Sequence, residues 1–413
     1  MKKVLFVSWQ GGMGHITRDV AIVKELRRRN PLVDVSWLAH PLACKVLAHA
    51  GETILPESQL SADCSQVALE ALEGFHLNIM KYVAVSRKAW AHNVHLFKEV
   101  TTRHHFDLVI GDEAYEVVAA LDRNRVNLEC RMIEIEDLVG LEAMSSNPLE
   151  KLGVYLKNRL LATQPARLRS RATYFFVGEL DDIPDRRFGF GLPNRREFAR
   201  KYYQILGYVL RFDPADYADK AKIRARLGYG PAPLLLCATG GTSAGKELLE
   251  LCGKAYTILK EGIPDLRMVA VCGELFGTKP PELPPGVELH RYIPDLYEHY
   301  AACDMAVVVG GGTTTIELTA LRRPFVFFPL ENQFDQQLYI ADRLARQGAG
   351  IKMRFYETTP QSLAESIRAN IGKEATWPPI RTDGAQKAAK LIDQMLDEAP
   401  AGTTDRSGGS SCP

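Results

Sequence analysis

The sequence predicts an α/β protein built from two doubly wound, Rossmann-like domains that face a common cleft. Apolar runs of strand length alternate with helix-period segments, the series starts twice, near Val4 and near Leu234, and each start reads strand, glycine-rich loop, helix. Strands that are apolar throughout belong to parallel sheets covered on both faces, and such sheets hold ligands at the carboxyl ends of their strands.

The composition allows this. A chain of 413 residues, 46% hydrophobic, can bury two cores, and a net charge of +1 offers no whole-chain field that would select nucleic acid. Eight cysteines without a CxxC pair, most beside apolar runs, read as buried free thiols of a reducing compartment, with no structural zinc. No span approaches the ~20 apolar residues that cross a bilayer, and a strand begins after Met1-Lys2-Lys3, so a cytoplasmic protein is expected. Ala401 to Pro413, rich in Gly, Ser and Thr, reads as a disordered tail.

In the first series Val4 to Val7 is a strand, Gln10 to Gly14 a tight loop, and Ile16 to Arg29 a helix with Ile16, Val20, Val23 and Leu26 on one face. Val33 to Leu38 is a second strand, a helix follows around Cys44 to His49, two helical stretches run through Val67 to Leu96, and Asp107 to Ile110 is another strand. Residues 151–201 then carry twelve Lys or Arg against five Asp or Glu. They read as a solvated helix face and a loop over 185–200, the alternative being a peripheral contact with anionic lipid head groups at the inner face of a membrane. In the second series Leu234 to Ala238, Met268 to Cys272, Val287 to Leu289 and Met305 to Val309 are strands, and Lys246 to Lys260 and Asp295 to Ala302 are helices. The expected division is 1–205, 206–378, a helix in 379–400 packing back toward the N-terminal domain, and the tail 401–413.

The loops at the strand ends carry the chemistry. Gly310-Gly311-Gly312-Thr313-Thr314-Thr315-Ile316-Glu317 feeds a helix whose free N–H groups and positive dipole end suit a phosphate, with Thr313 or Thr314 as cap and Glu317 facing a ribose. Thr239-Gly240-Gly241-Thr242-Ser243-Ala244-Gly245 is a second anion cradle without the GK[ST] ending of an ATPase loop. Two such loops in one domain suit a diphosphate. The loop Gly11-Gly12-Met13-Gly14-His15 lacks the third glycine and the distal acid of a dinucleotide fingerprint, and instead delivers His15 at a helix start, where an imidazole can serve as a base. Asp112, at the same sheet edge, is the preferred partner to orient it, with Glu113 and Glu116 as competitors. No DxD constellation appears at a strand end, so no metal and no other cofactor is expected.

These loops, with Arg291-Tyr292-Ile293-Pro294-Asp295-Leu296 and the stretch through Gln337, resemble the GT-B glycosyltransferases, above all glycosyltransferase family 28, which includes the lipid II-forming N-acetylglucosaminyltransferase, and also the natural-product glycosyltransferases. The resemblance is tight over roughly 234–350. It implies an inverting transfer from a UDP- or dTDP-sugar to a hydroxyl-type acceptor, with His15 as base and Asp112 as its support. It assigns the nucleotide sugar to Gly12, Gly14, Gly240, Gly241, Thr242, Ser243, Tyr292, Ile293, Gly311, Gly312, Thr313, Thr314 and Glu317, and the sugar end to Glu331, Asn332, Gln333, Gln336 and Gln337. Glu113, Glu136 and Asp137 are acceptor-side candidates. Other classes that share the fold are a nucleotide-sugar epimerase or hydrolase and a non-catalytic nucleotide-sugar-binding protein.

Overall fold

The computed structural model describes residues 1–9, 13–62, 71–73, 76–77, 79–163, 172–240, 245–273, 280–331 and 333–398. In the N-terminal domain the strands are β1 (Lys3–Ser8), β2 (Asp34–Ala39), β3 (Thr53–Ile54), a small hairpin of β4 (Leu72–Glu73) and β5 (His76–Leu77), then β6 (Leu108–Asp112), β7 (Arg131–Glu136), β8 (Thr173–Val177) and β9 (Tyr203–Gly207). Its helices are α1 (Met13–Arg29), α2 (Pro41–His49), α3 (Ile79–Arg103), α4 (Tyr115–Asp122), α5 (Pro148–Thr163) and α6 (Arg195–Tyr202). The C-terminal domain has β10 (Leu234–Ala238), β11 (Arg267–Val271), β12 (Val287–His290), β13 (Met305–Val309), β14 (Phe325–Phe328) and β15 (Ile351–Lys352). Its helices are α7 (Lys220–Arg226), α8 (Gly245–Gly262), α9 (Leu296–Ala302), α10 (Gly312–Ala320), α11 (Ala341–Gln347) and α12 (Pro360–Asn370), after which comes a further helix, α13 (Gly384–Asp397).

The first sheet has seven strands in the order β3-β2-β1-β6-β7-β8-β9 and the second six in the order β12-β11-β10-β13-β14-β15, and the pairings in both are parallel. Each order reverses beside its first strand, between β1 and β6 and between β10 and β13, so each sheet has a crevice outside its strand ends at that point. The central strands of the second sheet, Leu234–Ala238 and Met305–Val309, are apolar and buried throughout, because helices cover both faces. α13 belongs to the N-terminal core: Ala385, Ala388, Ile392 and Leu396 pack with Ile22 and Leu26 of α1, and Asn30 Nδ2 donates to Asp393 Oδ1 at 3.1 Å.

Two local expectations change. Instead of two helical stretches through 67–96, β4 and β5 form an antiparallel hairpin and one 25-residue helix, α3, follows. The expected loop over 185–200 contains α6, which Asn194 caps by accepting from the amides of Arg196 at 2.8 Å and Glu197 at 3.2 Å. Its Arg195 is buried, donating to Leu141 O at 2.8 Å and pairing with Glu142 at 2.7 Å, so part of the basic segment is core.

Candidate functional site

α1 of the first domain and α10 of the second start at the two crevices and meet across the cleft. Gly14 lies so close to Thr313 that a methyl group on it would stand 2.6 Å from Thr313 Oγ1, so only glycine fits there. Tyr339, in a π-helical turn over Asp335–Ile340, ties the domains again: its hydroxyl donates to Val139 O at 2.7 Å and accepts from Val139 N at 3.1 Å. A π-turn among α-helices is a frequent mark of functional sites, and this one carries Asp335 and Gln336 into the cleft.

His15 stands on the first turn of α1. Its Nδ1 lies 3.2 Å from Asp112 Oδ1, because parallel pairing of β1 with β6 sets Ser8 beside Asp112 at the same sheet edge. Arg18, one turn along the same helix face, completes the cluster. Its Nε donates to Asp112 Oδ2 at 2.8 Å, NH2 to Asp112 Oδ1 at 2.5 Å, and NH1 to Asp137 Oδ2 at 2.9 Å, while NH2 also lies 2.9 Å from His15 Nδ1. Asp112 is fully buried and Arg18 is 6% exposed. Burial alone would raise the Asp112 carboxyl, but the Arg18 guanidinium and His15 hold it well below the usual carboxylate range. Neighbouring Asp19 moves the other way, raised by burial and by Asp112, with Ser8 Oγ donating to it at 2.9 Å. Glu113, whose backbone has φ 51, and Asp137 close the cluster: burial and the adjacent Asp137 raise Glu113, whereas for Asp137 burial is overcome by Arg18, the Glu113 hydrogen bond and His15 together, which lower it.

His15, Glu113 and Asp137 offer ligand atoms within 4.8 Å of one another. The Arg18 guanidinium bonded to Asp137 already supplies positive charge at that place, which disfavours a second cation.

On the opposite wall α10 begins without a side-chain cap, its N-cap being Gly311, which corrects the expectation that Thr313 or Thr314 caps it. The hydroxyl that bonds at this terminus is that of Thr315, donating back to Gly311 O at 2.8 Å and accepting from Arg343 at 2.6 Å. The first-turn N–H groups of α10 are therefore left without a capping oxygen, as an anion site requires. Glu317 is buried, accepts from Arg211 Nε at 3.2 Å, and lines the cleft; burial raises it while Arg211, whose guanidinium lies 4.5 Å from the Tyr297 ring centroid, opposes.

One cavity of about 1340 Å³ joins both walls. Its lining includes Gly14, His15, Glu113, Glu136 and Asp137 from the first domain. From the second come Gly240, Tyr292, Ile293, Gly311, Gly312, Thr313, Thr314, Glu317, Gln333 and Gln336. Asp112 sits behind His15. Gln336 is half committed, its Oε1 accepting from the Leu330 amide at 2.9 Å. Two expected sugar contacts are not brought to the wall: Gln337 turns its amide to Leu330 O at 3.0 Å, and Glu331 pairs with Arg354 at 3.4 Å. Gly12, Gly241, Thr242, Ser243 and Asn332 lie outside the described residues. The sequence reading missed Arg18, Arg211 and Asp335. Arg18 was signalled by its i, i+3 spacing from His15, and Asp335, which burial and Asp137 push up to about 7, by nothing short of the fold.

Residues 235–401 match the glycosyltransferase family 28 C-terminal domain. The chain has the GT-B fold, and its C-terminal part is similar to glycosyltransferase family 28. An uncharacterized glycosyltransferase of Methanopyrus kandleri is 28% identical over 46% of this chain and 54% of its own. The UDP-N-acetylglucosamine–N-acetylmuramyl-(pentapeptide) pyrophosphoryl-undecaprenol N-acetylglucosamine transferase of Symbiobacterium thermophilum is 30% identical over 40% of this chain and 45% of its own. That of Streptomyces coelicolor is 28% identical over 86% of both. The chain thus spans about half the length of the first relatives it matches. Among solved structures, the glycotransferase of kitacinnamycin superposes with a TM-score of 0.56 at 17% identity, covering 96% of this chain and 99% of that one. The spinosyn rhamnosyltransferase SpnG gives 0.54 at 15%, covering 96% of each chain. The structural likenesses show the fold, and β13, α10 and β14 lie inside the matched C-terminal segment.

Proposed function

We propose that this protein transfers a sugar from a nucleoside-diphosphate sugar to an acceptor hydroxyl, with inversion at the anomeric carbon. The observation that carries the reading is the meeting of α1 and α10: a histidine backed by a buried aspartate faces an uncapped helix N-terminus across one cavity. The diphosphate binds the N–H groups of α10, the ribose addresses Glu317, and the sugar extends toward Gln333 and Gln336. His15 accepts the acceptor proton through Nε2, the nitrogen not engaged by Asp112 and Arg18. The hydroxyl oxygen then attacks the anomeric carbon from the face opposite the departing diphosphate. General-base help of this kind contributes about 10²- to 10⁴-fold, and the helix N-terminus stabilises the charge that grows on the leaving group. With that dipole as the positive group at the leaving diphosphate, no metal ion is required.

The volume favours transfer over hydrolysis or epimerisation of a donor alone. Single-ligand pockets hold roughly 300–1,000 Å³, and the space beyond the donor walls, between α3, α4 and α5, suits a second substrate. A thermal-shift panel of nucleoside diphosphates and nucleotide sugars tests donor binding, since a ligand of the native state raises its apparent stability. His15→Ala is expected to keep that stabilisation and to lose turnover at least 100-fold, with wild-type turnover surviving chelator. Unchanged turnover in the variant, or loss in EDTA restored by Mg²⁺, would contradict the mechanism.

The reading extends to a membrane surface. Leu149, Leu152, Leu156 and Leu160 form an exposed stripe on α5, between 52% and 70% accessible, flanked by Lys151, Lys157 and Arg159. Apolar and cationic residues on one exposed helix suit the head-group boundary of anionic lipid. Among the described residues no helix is long and apolar enough to cross a membrane. Flotation with phosphatidylglycerol vesicles is expected to fall when Leu152 and Leu156 become Ser; unchanged flotation removes the idea.

A further inference from the structure

The chamber of the cavity over one face of β7 and β8 carries chemistry that the transfer step does not use. Glu116 and Glu136 line it, and so does Tyr174, which is 5% exposed and whose hydroxyl has no hydrogen-bond partner among the described residues. Behind them Glu134 is fully buried, and neither of its carboxyl oxygens makes a hydrogen bond of normal geometry. The parallel register sets Glu134 beside Tyr174 on one sheet face, and Gly111 of β6 makes room: a methyl there would stand 2.6 Å from Glu134 Oε2. Glu136 accepts from the Tyr203 hydroxyl at 2.7 Å.

These carboxyls lack positive charge. No ion pair among the described residues reaches Glu116, Glu134 or Glu136, since Arg18 is committed to Asp112 and Asp137, and Arg211 to Glu317. The cavity's other basic residues, Arg87, Arg123, Arg125 and Lys157, are exposed at its mouth. Burial accordingly pushes Glu136 up to about 8 and Glu116 to about 7, and raises Glu134 as well, with the help of Glu136. An unsatisfied buried hydroxyl beside uncompensated buried carboxyls is costly unless a ligand completes it.

We infer that this chamber receives a protonated amine, so that the acceptor presenting its hydroxyl to His15 also carries an ammonium group that donates to Glu136 and the Tyr174 hydroxyl. The inference rests on the transfer reading above. An ammonium has three donors and no acceptor: it draws Glu136 into its ionised, acceptor-only form and fills the free phenol oxygen, whereas a neutral polyol brings no charge that would take the proton off Glu136. The flanking apolar residues Trp90, Val94 and Leu161 line the same space and suit the carbon frame of such a molecule.

The test uses two isosteric pairs as probes, glucosamine against glucose and benzylamine against benzyl alcohol, titrated into the full chain with UDP present. The amine of each pair is expected to bind at least tenfold tighter, and Glu136→Gln and Tyr174→Phe each to shrink that preference while leaving the UDP-induced shift in melting temperature in place. Equal affinity within both pairs, binding of neither, or a preference that survives Glu136→Gln overturns the proposal. UDP binding is the separate arm: its loss with the amine preference intact contradicts the donor reading and not the chamber, and its retention without the preference does the reverse.

Discussion

Replacing Arg18 by methionine tests the buried network directly. Arg18 makes three charge-assisted hydrogen bonds to two carboxylates, at 2.8 and 2.5 Å to Asp112 and 2.9 Å to Asp137. Arg18→Met keeps most of the volume and leaves the fully buried Asp112 charge beside Asp19, Glu113 and Asp137 with only His15 opposed to it. Removing one partner of a buried pair costs about 3–5 kcal/mol. For a domain of this size that lowers the melting temperature by roughly 10 °C, at about 2–4 °C per kcal/mol. Asp112 answers by taking up a proton, so its carboxyl titrates upward and no longer holds the imidazole as an ion. The double variant Arg18→Met with Asp112→Asn removes the stranded charge and should recover part of the loss, giving a coupling of at least ~1 kcal/mol in a double-mutant cycle. Urea unfolding followed by near-ultraviolet circular dichroism measures each corner. A loss below ~1 kcal/mol in the single variant, or strict additivity in the cycle, refutes the idea that Arg18 compensates Asp112.

Two further outcomes follow from the geometry. Gly14→Ala forces its methyl against Thr313 Oγ1 and should part the two helix starts, weakening the stabilisation by nucleoside diphosphate; Gly14→Ala with Thr313→Ala should regain part of it, and an unaffected single variant would show that the helices need not meet. Glu136 holds its proton up to about 8 in the folded chain, well above an unfolded glutamate, so the native state binds more protons between about pH 4.5 and 8 and stability falls as pH rises through that window. Glu136→Gln should flatten this slope by up to ~1 kcal/mol per pH unit, and an unchanged slope in denaturation series at pH 5 to 8 would assign the effect elsewhere.

How much was legible depended on whether physics acted locally. Leu234–Ala238 and Met305–Val309 are unbroken apolar runs before glycine loops, so their burial on both sheet faces was readable from composition alone. Arg131–Glu136 was not readable: it is a central strand, yet two of its buried positions are glutamates, accommodated by a glycine on β6 and a tyrosine on β9 that only the fold brings near. Residues 195–202 were hidden for a related reason, since an arginine-rich stretch looks solvated until Arg195 finds Leu141 O and Glu142. At the site, the placement of His15 beside Asp112 followed from two strand ends at one sheet edge. Glu331 and Gln337 show the limit: the family resemblance put them at the sugar, whereas Gln337, in the π-turn over Asp335–Ile340, turns its amide back to Leu330 O.

The structure of crystals soaked with a nucleoside-diphosphate sugar bears most directly on the site as a whole. The diphosphate is expected at the amides of Thr313 and Thr314, the ribose on Glu317, and the anomeric carbon within reach of a hydroxyl that His15 Nε2 can deprotonate. A diphosphate lodged away from the start of α10, or a sugar turned from His15, would contradict the account.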